Sequence, residues 1–146
     1  PIVEQFRMAV HQKAPCWSTR FGRRRWIPNY YSNDPDIQQK ALRQLFNYSI
    51  QSEGADVCSR GMYLSCEWLR EVKKQYQLLT YPIGNVYDSF VLACPENEID
   101  YVTTNIKGIM EKPQLPWEPV IPFKVDVEHG FSWGELSSWQ LGKLAA

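Results

Sequence analysis

The sequence predicts an α+β fold in which an antiparallel sheet packs against helices. Apolar residues recur at helical spacing through the middle of the chain, and a β-rich segment with a short polar break follows them. The 146 residues are 44% hydrophobic, 14% aromatic and 22% charged, the composition of one ordinary globular domain. Such a composition excludes a disordered or fibrous chain.

The first elements are predicted to be a helix and a small hairpin. Apolar residues at near-helical spacing indicate a helix over residues 2–13, ended by Pro15. Over residues 17–28, a turn centred on Gly22 separates two aromatic and β-branched runs, which is typical of a hairpin or extended loop. Residues 29–34 are predicted to be a loop.

Two helices are predicted for the middle of the chain. Asp34 followed by Pro35 is a good helix start, because aspartate caps the first turn and the proline ring presets φ. The first helix is expected over residues 35–50. Low helical propensity at residues 52–54 predicts a break, and a second helix follows over residues 55–76.

The remaining elements alternate between strand and helix. Two β-rich runs within residues 78–94, separated at Asp88–Ser89, predict a tight strand-turn-strand unit. A third helix is expected over residues 95–110, and four prolines make residues 113–122 a loop. The run over residues 123–127 predicts a final strand.

Charge indicates no partner overall, since 16 basic and 16 acidic side chains cancel. Residues 1–43, however, hold 8 basic and 3 acidic side chains, which predicts a basic surface near the start.

The four cysteines lack zinc spacing, so reduced buried thiols are expected. No stretch approaches the ~20 apolar residues of a membrane span. We therefore expect no membrane association and a soluble, reducing compartment.

Three polar side chains form a comb along the first middle helix. Arg43, Asn47 and Gln51 stand at i, i+4 and i+8 and so share one face. Amides both donate and accept, and can meet the acceptors that every base pair presents in the minor groove. The alternative is a solvated polar stripe.

A basic run precedes this helix. Arg23, Arg24 and Arg25 lie between Phe21 and Trp26, a pattern typical of a loop that contacts phosphates and stacks on a base. A solvated surface is the alternative.

Asp88 lies at the break between two apolar strands, where a carboxylate can project from a rigid scaffold. Mg²⁺ on phosphate substrates uses one or two carboxylates plus substrate oxygens and waters, so Asp88 could supply one ligand. The alternative is a residue that simply forms the turn.

Four sequence blocks occur in the order and spacing of a known family. They are Gly22-Arg-Arg-Arg-Trp-Ile-Pro28, Arg43-x3-Asn47-x3-Gln51 with Gly54-Ala-Asp56, Val86-Tyr-Asp88-Ser, and Pro122-Phe-Lys-Val-Asp-Val127 followed by Trp133. Together they resemble the C-terminal part of family A DNA polymerases, the bacterial DNA polymerase I class. The resemblance extends from about Val3 to Leu136.

The resemblance implies a polymerase palm, with residues 1–33 finishing the fingers and residues 34–146 forming the C-terminal part of the palm. It implies template-directed DNA synthesis on primer-template DNA with dNTPs, and a cytoplasmic location in a bacterial or phage-infected cell, an organelle being the alternative. The family residues that match Arg43, Asn47 and Gln51 contact primer-template near the growing end.

The resemblance also assigns Asp88 to the motif C hairpin, where it is one of two carboxylates that bind the catalytic Mg²⁺ ions. Tyr87 replaces the usual His, and its hydroxyl is expected to donate towards the primer end, while Ser89 replaces the usual Glu. Neither motif A, with the other catalytic Asp, nor the K-x3-Y-G nucleotide-binding helix occurs in these residues. The isolated chain is therefore predicted to be inactive without a partner chain or a missing N-terminal portion.

Two other interpretations remain open. The Asp88-Ser89 pair approaches the His-Asp-Ser motif of single-subunit RNA polymerases, which share the palm. A non-catalytic DNA-binding or scaffold module would keep the comb and the basic run without metal chemistry.

Overall fold

The computed structural model describes residues 16–117, 119 and 121–142, so the predicted helix over residues 2–13 lies outside the described residues. Helices and antiparallel strands confirm the α+β prediction. The chain divides into two compact units, Pro1–Asp56 and Val57–Ala146. Within the described ranges, the helices lack the combination of length and apolarity that crossing a bilayer requires.

The first unit begins with the predicted hairpin. Strands β1 (Cys16–Ser18) and β2 (Arg24–Trp26) pair antiparallel. The Gly22 N–H donates to the Thr19 carbonyl at 2.9 Å, and Gly22 has a φ of +85°, which a side chain would strain. A short 3-10 helix, Pro28–Tyr31, follows where a loop was expected.

Helix α1 (Pro35–Tyr76) starts where the sequence predicts. The Asp36 N–H donates to the Asp34 carboxylate at 2.9 Å, which satisfies one of the open donors of the first turn. The helix contributes residues 35–56 to the first unit and residues 57–76 to the second.

The predicted break in α1 at residues 52–54 is wrong, because one helix of 42 residues runs through it. The Ser52 hydroxyl donates back to the Tyr48 carbonyl, so it does not compete with the helical backbone. Ser52 and Asp56 are both buried, and they bracket Gly54. Asp56 accepts hydrogen bonds from Thr19 and Arg23, and these contacts hold the helix where a glycine would cost ~1 kcal/mol.

The first unit is held together by a small apolar core. One face of α1 packs onto the segment that follows β2, and the core residues are Ile27, Ala41 and Leu45, with Tyr30 and Tyr48 against them. This contact fixes the basic hairpin beside the helix that carries the polar comb.

The second unit is built on a hairpin and a helix. Strands β3 (Tyr81–Val86) and β4 (Ser89–Ala93) pair antiparallel, and helix α2 (Ile99–Glu111) follows a 3-10 turn at Glu96–Glu98. Apolar side chains of α1, β4 and α2 form its core, which consists of Leu69, Val102 and Ile106 with Trp68, Leu78, Phe90, Leu92, Cys94 and Met110. The predicted hairpin and third helix are thus confirmed, with the turn at Tyr87–Asp88.

The predicted strand over residues 123–127 is wrong. The backbone of Val125 is bonded to side chains of α2, since the Lys107 ammonium donates to the Val125 carbonyl and the Val125 N–H donates to Glu111 at 3.2 Å. The Val127 carbonyl accepts from the Trp139 N–H at 2.9 Å, and the strands follow directly, where β5 (Glu128–His129) meets β6 (Ser137–Ser138).

The C-terminus of α1 supplies a simple stability test. Gln77 has a φ of +54°, and its N–H donates to the Lys73 carbonyl at 3.0 Å, the arrangement of a helix end that favours glycine. We expect Gln77→Gly to raise the free energy of unfolding by about 1 kcal/mol, as measured by urea denaturation. Gln75→Gly, inside the same helix, is the control and should lower it by a similar amount. Equal effects of the two changes would contradict the assignment.

Candidate functional site

The polar comb is exposed on α1 as the sequence predicts. Arg43, Asn47 and Gln51 all face solvent. At 100° per residue they lie opposite the buried Ala41 and Leu45. Their side chains are therefore available to an external partner.

The three arginines of the basic run have different surroundings. Arg23 forms an ion pair with Asp56, and the Arg25 guanidinium lies 5.2 Å from the centre of the Tyr48 ring. Arg24 is exposed on β2. The first unit thus holds this run on the buried face of α1, whereas the comb lies on the opposite, exposed face, and one of the arginines is engaged internally.

Asp56 is a residue whose role was not predicted from the sequence. Its side chain is only 8% exposed, and it accepts hydrogen bonds from the Thr19 hydroxyl at 2.8 Å and from Arg23. The helical spacing of the sequence could have indicated this role. Asp56 continues the buried face of α1, and a buried carboxylate requires a hydrogen-bond or ion-pair partner.

The tip of the β3–β4 hairpin carries Tyr87 and Asp88. Val86 pairs with Ser89, so these two residues alone form the loop. Tyr87 has a φ of +55° and is 93% exposed, while the Asp88 side chain is also exposed. Positive φ at a bulky residue stores strain of about 1–3 kcal/mol, which is found most often at functional sites.

Cys58 on α1 forms a hydrogen bond with this tip. Its thiol donates to the Asp88 carbonyl at 3.1 Å. Burial, and then the charge of Asp88, raise the pKa of the Cys58 thiol, so it stays protonated and able to donate. The bond uses the backbone of Asp88 and leaves its carboxylate for other ligands.

A metal ion would find a single suitable carboxylate here. Asp88 offers the oxygen donors that Mg²⁺ prefers. Within the residues that the structure describes, no group of three or more His, Cys, Asp or Glu side chains could hold a metal. The donor chemistry fits, but the second unit supplies only part of a site.

The four cysteines, all in the described part, form no disulfide and are half-buried rather than fully buried.

Comparison with known proteins places this geometry in a family. The model of the family described as DNA polymerase family A matches residues 2–135. The chain belongs to DNA polymerase family A. Its relatives include DNA polymerase I of Geobacillus stearothermophilus, 29% identical over 91% of this chain, and the DNA polymerase of Bacillus phage SP01, 34% identical over 64%.

A solved polymerase-domain structure shares the fold. The polymerase domain of Pol1 from M. smegmatis, in complex with DNA primer-template and dNTP, matches 84% of this chain with a TM-score of 0.66 and 22% identity. The chain spans 15% of the Geobacillus protein, 10% of the phage protein and 20% of the M. smegmatis chain. It therefore corresponds to a small part of a family A polymerase.

Proposed function

We propose that the chain is part of a DNA-directed DNA polymerase that carries out template-directed nucleotidyl transfer. The observation that carries this proposal is the position of Asp88, exposed at the tip of a two-residue hairpin in a family A chain. In the proposed division, residues 1–33 finish the fingers and residues 34–146 form the C-terminal part of the palm.

Asp88 is the proposed metal ligand of this chain. In the two-metal mechanism, bound Mg²⁺ activates the primer 3′-hydroxyl and stabilises the leaving pyrophosphate. Asp88 would supply one carboxylate to that site, and the second would come from a partner chain or from an N-terminal portion of the polymerase. The exposed hydroxyl of Tyr87 is proposed to donate a hydrogen bond towards the primer end.

The comb is the proposed contact with the primer-template duplex. Asn47 and Gln51 amides can donate to minor-groove acceptors common to all base pairs, and Arg43 extends the row with a charged donor. Such contacts test base-pair geometry without reading sequence. The family match favours DNA synthesis over the RNA polymerase alternative, because the curated relatives named above are DNA polymerases.

Primer extension with Mg²⁺ and dNTPs tests the proposal. We expect no extension by the chain alone, since one carboxylate cannot hold both ions, and extension when the polypeptide encoded or purified beside it is added. Extension by the purified chain alone would contradict the requirement for a second carboxylate.

A non-catalytic DNA-binding module is the second candidate, and the presence of Ser89 where the family usually has Glu favours it. Duplex binding that weakens with salt, combined with no extension in any mixture, would support this candidate and overturn the polymerase proposal.

A further inference from the structure

The turn that carries the basic run is organised by one buried carboxylate. Asp56 accepts hydrogen bonds from Thr19 at the start of the turn and from Arg23 at its end. These partners are 37 and 33 residues away in sequence, so the carboxylate joins the hairpin to α1. A buried carboxylate with these two partners is satisfied by one hydroxyl and one cation.

The turn itself is closed by reciprocal hydrogen bonds. The Thr19 N–H donates to the Arg23 carbonyl at 2.9 Å, and the Arg23 N–H donates to the Thr19 hydroxyl at 3.2 Å. Thr19 is only 4% exposed, which is unusual for a hydroxyl residue in a tight turn. The Thr19 hydroxyl therefore links the turn backbone to Asp56, because it accepts from one and donates to the other.

The three arginines have different contacts as a result of this network. The charge of Arg23 is balanced by Asp56, although half of the Arg23 side chain is exposed. Arg24 is exposed, and the Arg25 guanidinium lies over the Tyr48 ring. Both residues belong to β2, the strand that follows the turn. Their placement depends on the turn, whereas their charges are not cancelled by Asp56.

We propose that Asp56 is a positioning residue that holds the Thr19–Arg23 turn, engages Arg23 in an ion pair and thereby presents Arg24 and Arg25 to DNA phosphates. The role in DNA binding rests on the proposed polymerase function. The role in holding the turn does not, and it is measurable without DNA.

Limited trypsin digestion of the intact chain tests the turn. We expect Asp56→Asn and Thr19→Val to speed cleavage after the arginines of the turn by about threefold or more, because local opening exposes the backbone. Thr19→Ser keeps the hydroxyl and should restore the slow rate. Thermal melting, followed by circular dichroism, identifies the temperature range in which each variant is folded. Cleavage at the wild-type rate in folded Asp56→Asn would overturn the proposal.

The affinity for duplex DNA tests the proposed effect on DNA binding, because the two possible roles of Asp56 predict changes in opposite directions. Asp56→Asn removes a negative charge, so a purely electrostatic role predicts tighter binding of a 20-bp duplex. A positioning role predicts binding weaker by roughly threefold to tenfold, equal to one or two lost phosphate contacts. Asp36→Asn, an exposed carboxylate in the same unit, is the control and should not weaken binding.

The salt dependence identifies the arginine that contacts DNA. Arg24→Ala should reduce the slope of log affinity against log salt by about 0.9, since one phosphate contact is lost. Tighter or unchanged binding by Asp56→Asn would overturn the positioning role. Failure of wild type to bind duplex, both alone and with the polypeptide encoded or purified beside it, would overturn the proposed function instead, and the digestion result would still decide the role of Asp56 in the turn.

Discussion

Asp88→Ala is expected to reduce primer extension by the completed polymerase about a thousandfold or more. The change removes the carboxylate that the second unit offers to a catalytic metal, and losses of this size are typical when a group central to the chemistry is removed. Folding should be unaffected, because the side chain is exposed and the Cys58 thiol bonds to the Asp88 carbonyl, which alanine retains. Single-turnover extension with Mg²⁺ measures the effect.

Two variants make this result specific. Asp88→Asn keeps the size of the side chain but not its charge, and it should be nearly as inactive. Glu96→Gln, an exposed carboxylate of the same unit, should extend primers at the wild-type rate. Duplex affinity should be similar in all three proteins, since a loss of binding would produce an apparent loss of chemistry. Extension by Asp88→Ala within about twofold of wild type would exclude the residue from the metal site.

Glu98→Ala is expected to lower the free energy of unfolding by about 3 kcal/mol or more. The Glu98 side chain is 7% exposed and accepts hydrogen bonds from the Leu79 N–H at 2.8 Å, the Thr80 N–H at 2.9 Å and the Thr80 hydroxyl at 2.6 Å. Alanine would leave the two donors of the fully buried Thr80 without their acceptor where β3 begins, and each buried unpaired donor costs about 1–3 kcal/mol. Urea denaturation at pH 7 measures the change, and Glu96→Gln is again the exposed control.

The same carboxylate makes stability depend on pH. Burial would raise the pKa of Glu98, but its hydrogen bonds from Leu79 and Thr80, with the charge of Lys73, lower it below the ordinary value of 4.5. Its stabilising contribution is therefore complete above about pH 4.5 and is lost as the pH falls through the lower folded value. The difference in unfolding free energy between wild type and Glu98→Gln should shrink over that acid range. A difference that stays constant from pH 7 to pH 3 would show that the carboxylate charge is not stabilised in the folded state.

Local sequence signals predicted the elements whose causes are themselves local. Asp34 and Pro35 indicated the start of α1, and the two β-rich runs around Asp88 indicated the β3–β4 hairpin, since capping and turn formation depend on neighbouring residues. The continuity of α1 could not be read in the same way. The helix continues through Gly54 because Asp56 is held by Thr19 and Arg23, which are distant in sequence, and such tertiary contacts override a weak local propensity.

The candidate site was predictable where a single residue carries the chemistry. Asp88, Tyr87 and the comb were identified from the sequence blocks, and the structure exposes each of them, while their roles remain proposals. The ion pair of Arg23 was not predictable, because the three arginines are equivalent in sequence and the partner of Arg23 is 33 residues away. The failure of the predicted strand at residues 123–127 has a similar origin, since the backbone partners of Val125 are side chains of α2.

The contacts of Val125 also bear on solubility. Residues 123–127 alternate between partly buried and exposed positions, a pattern that a growing β-sheet readily accepts as a further strand. Lys107 and Glu111, themselves an ion pair at 3.1 Å, occupy the carbonyl and N–H of Val125 that a neighbouring molecule would otherwise use. Two charged side chains of one helix thus occupy backbone groups that an edge strand would offer to a neighbouring molecule, through hydrogen bonds instead of strand pairing.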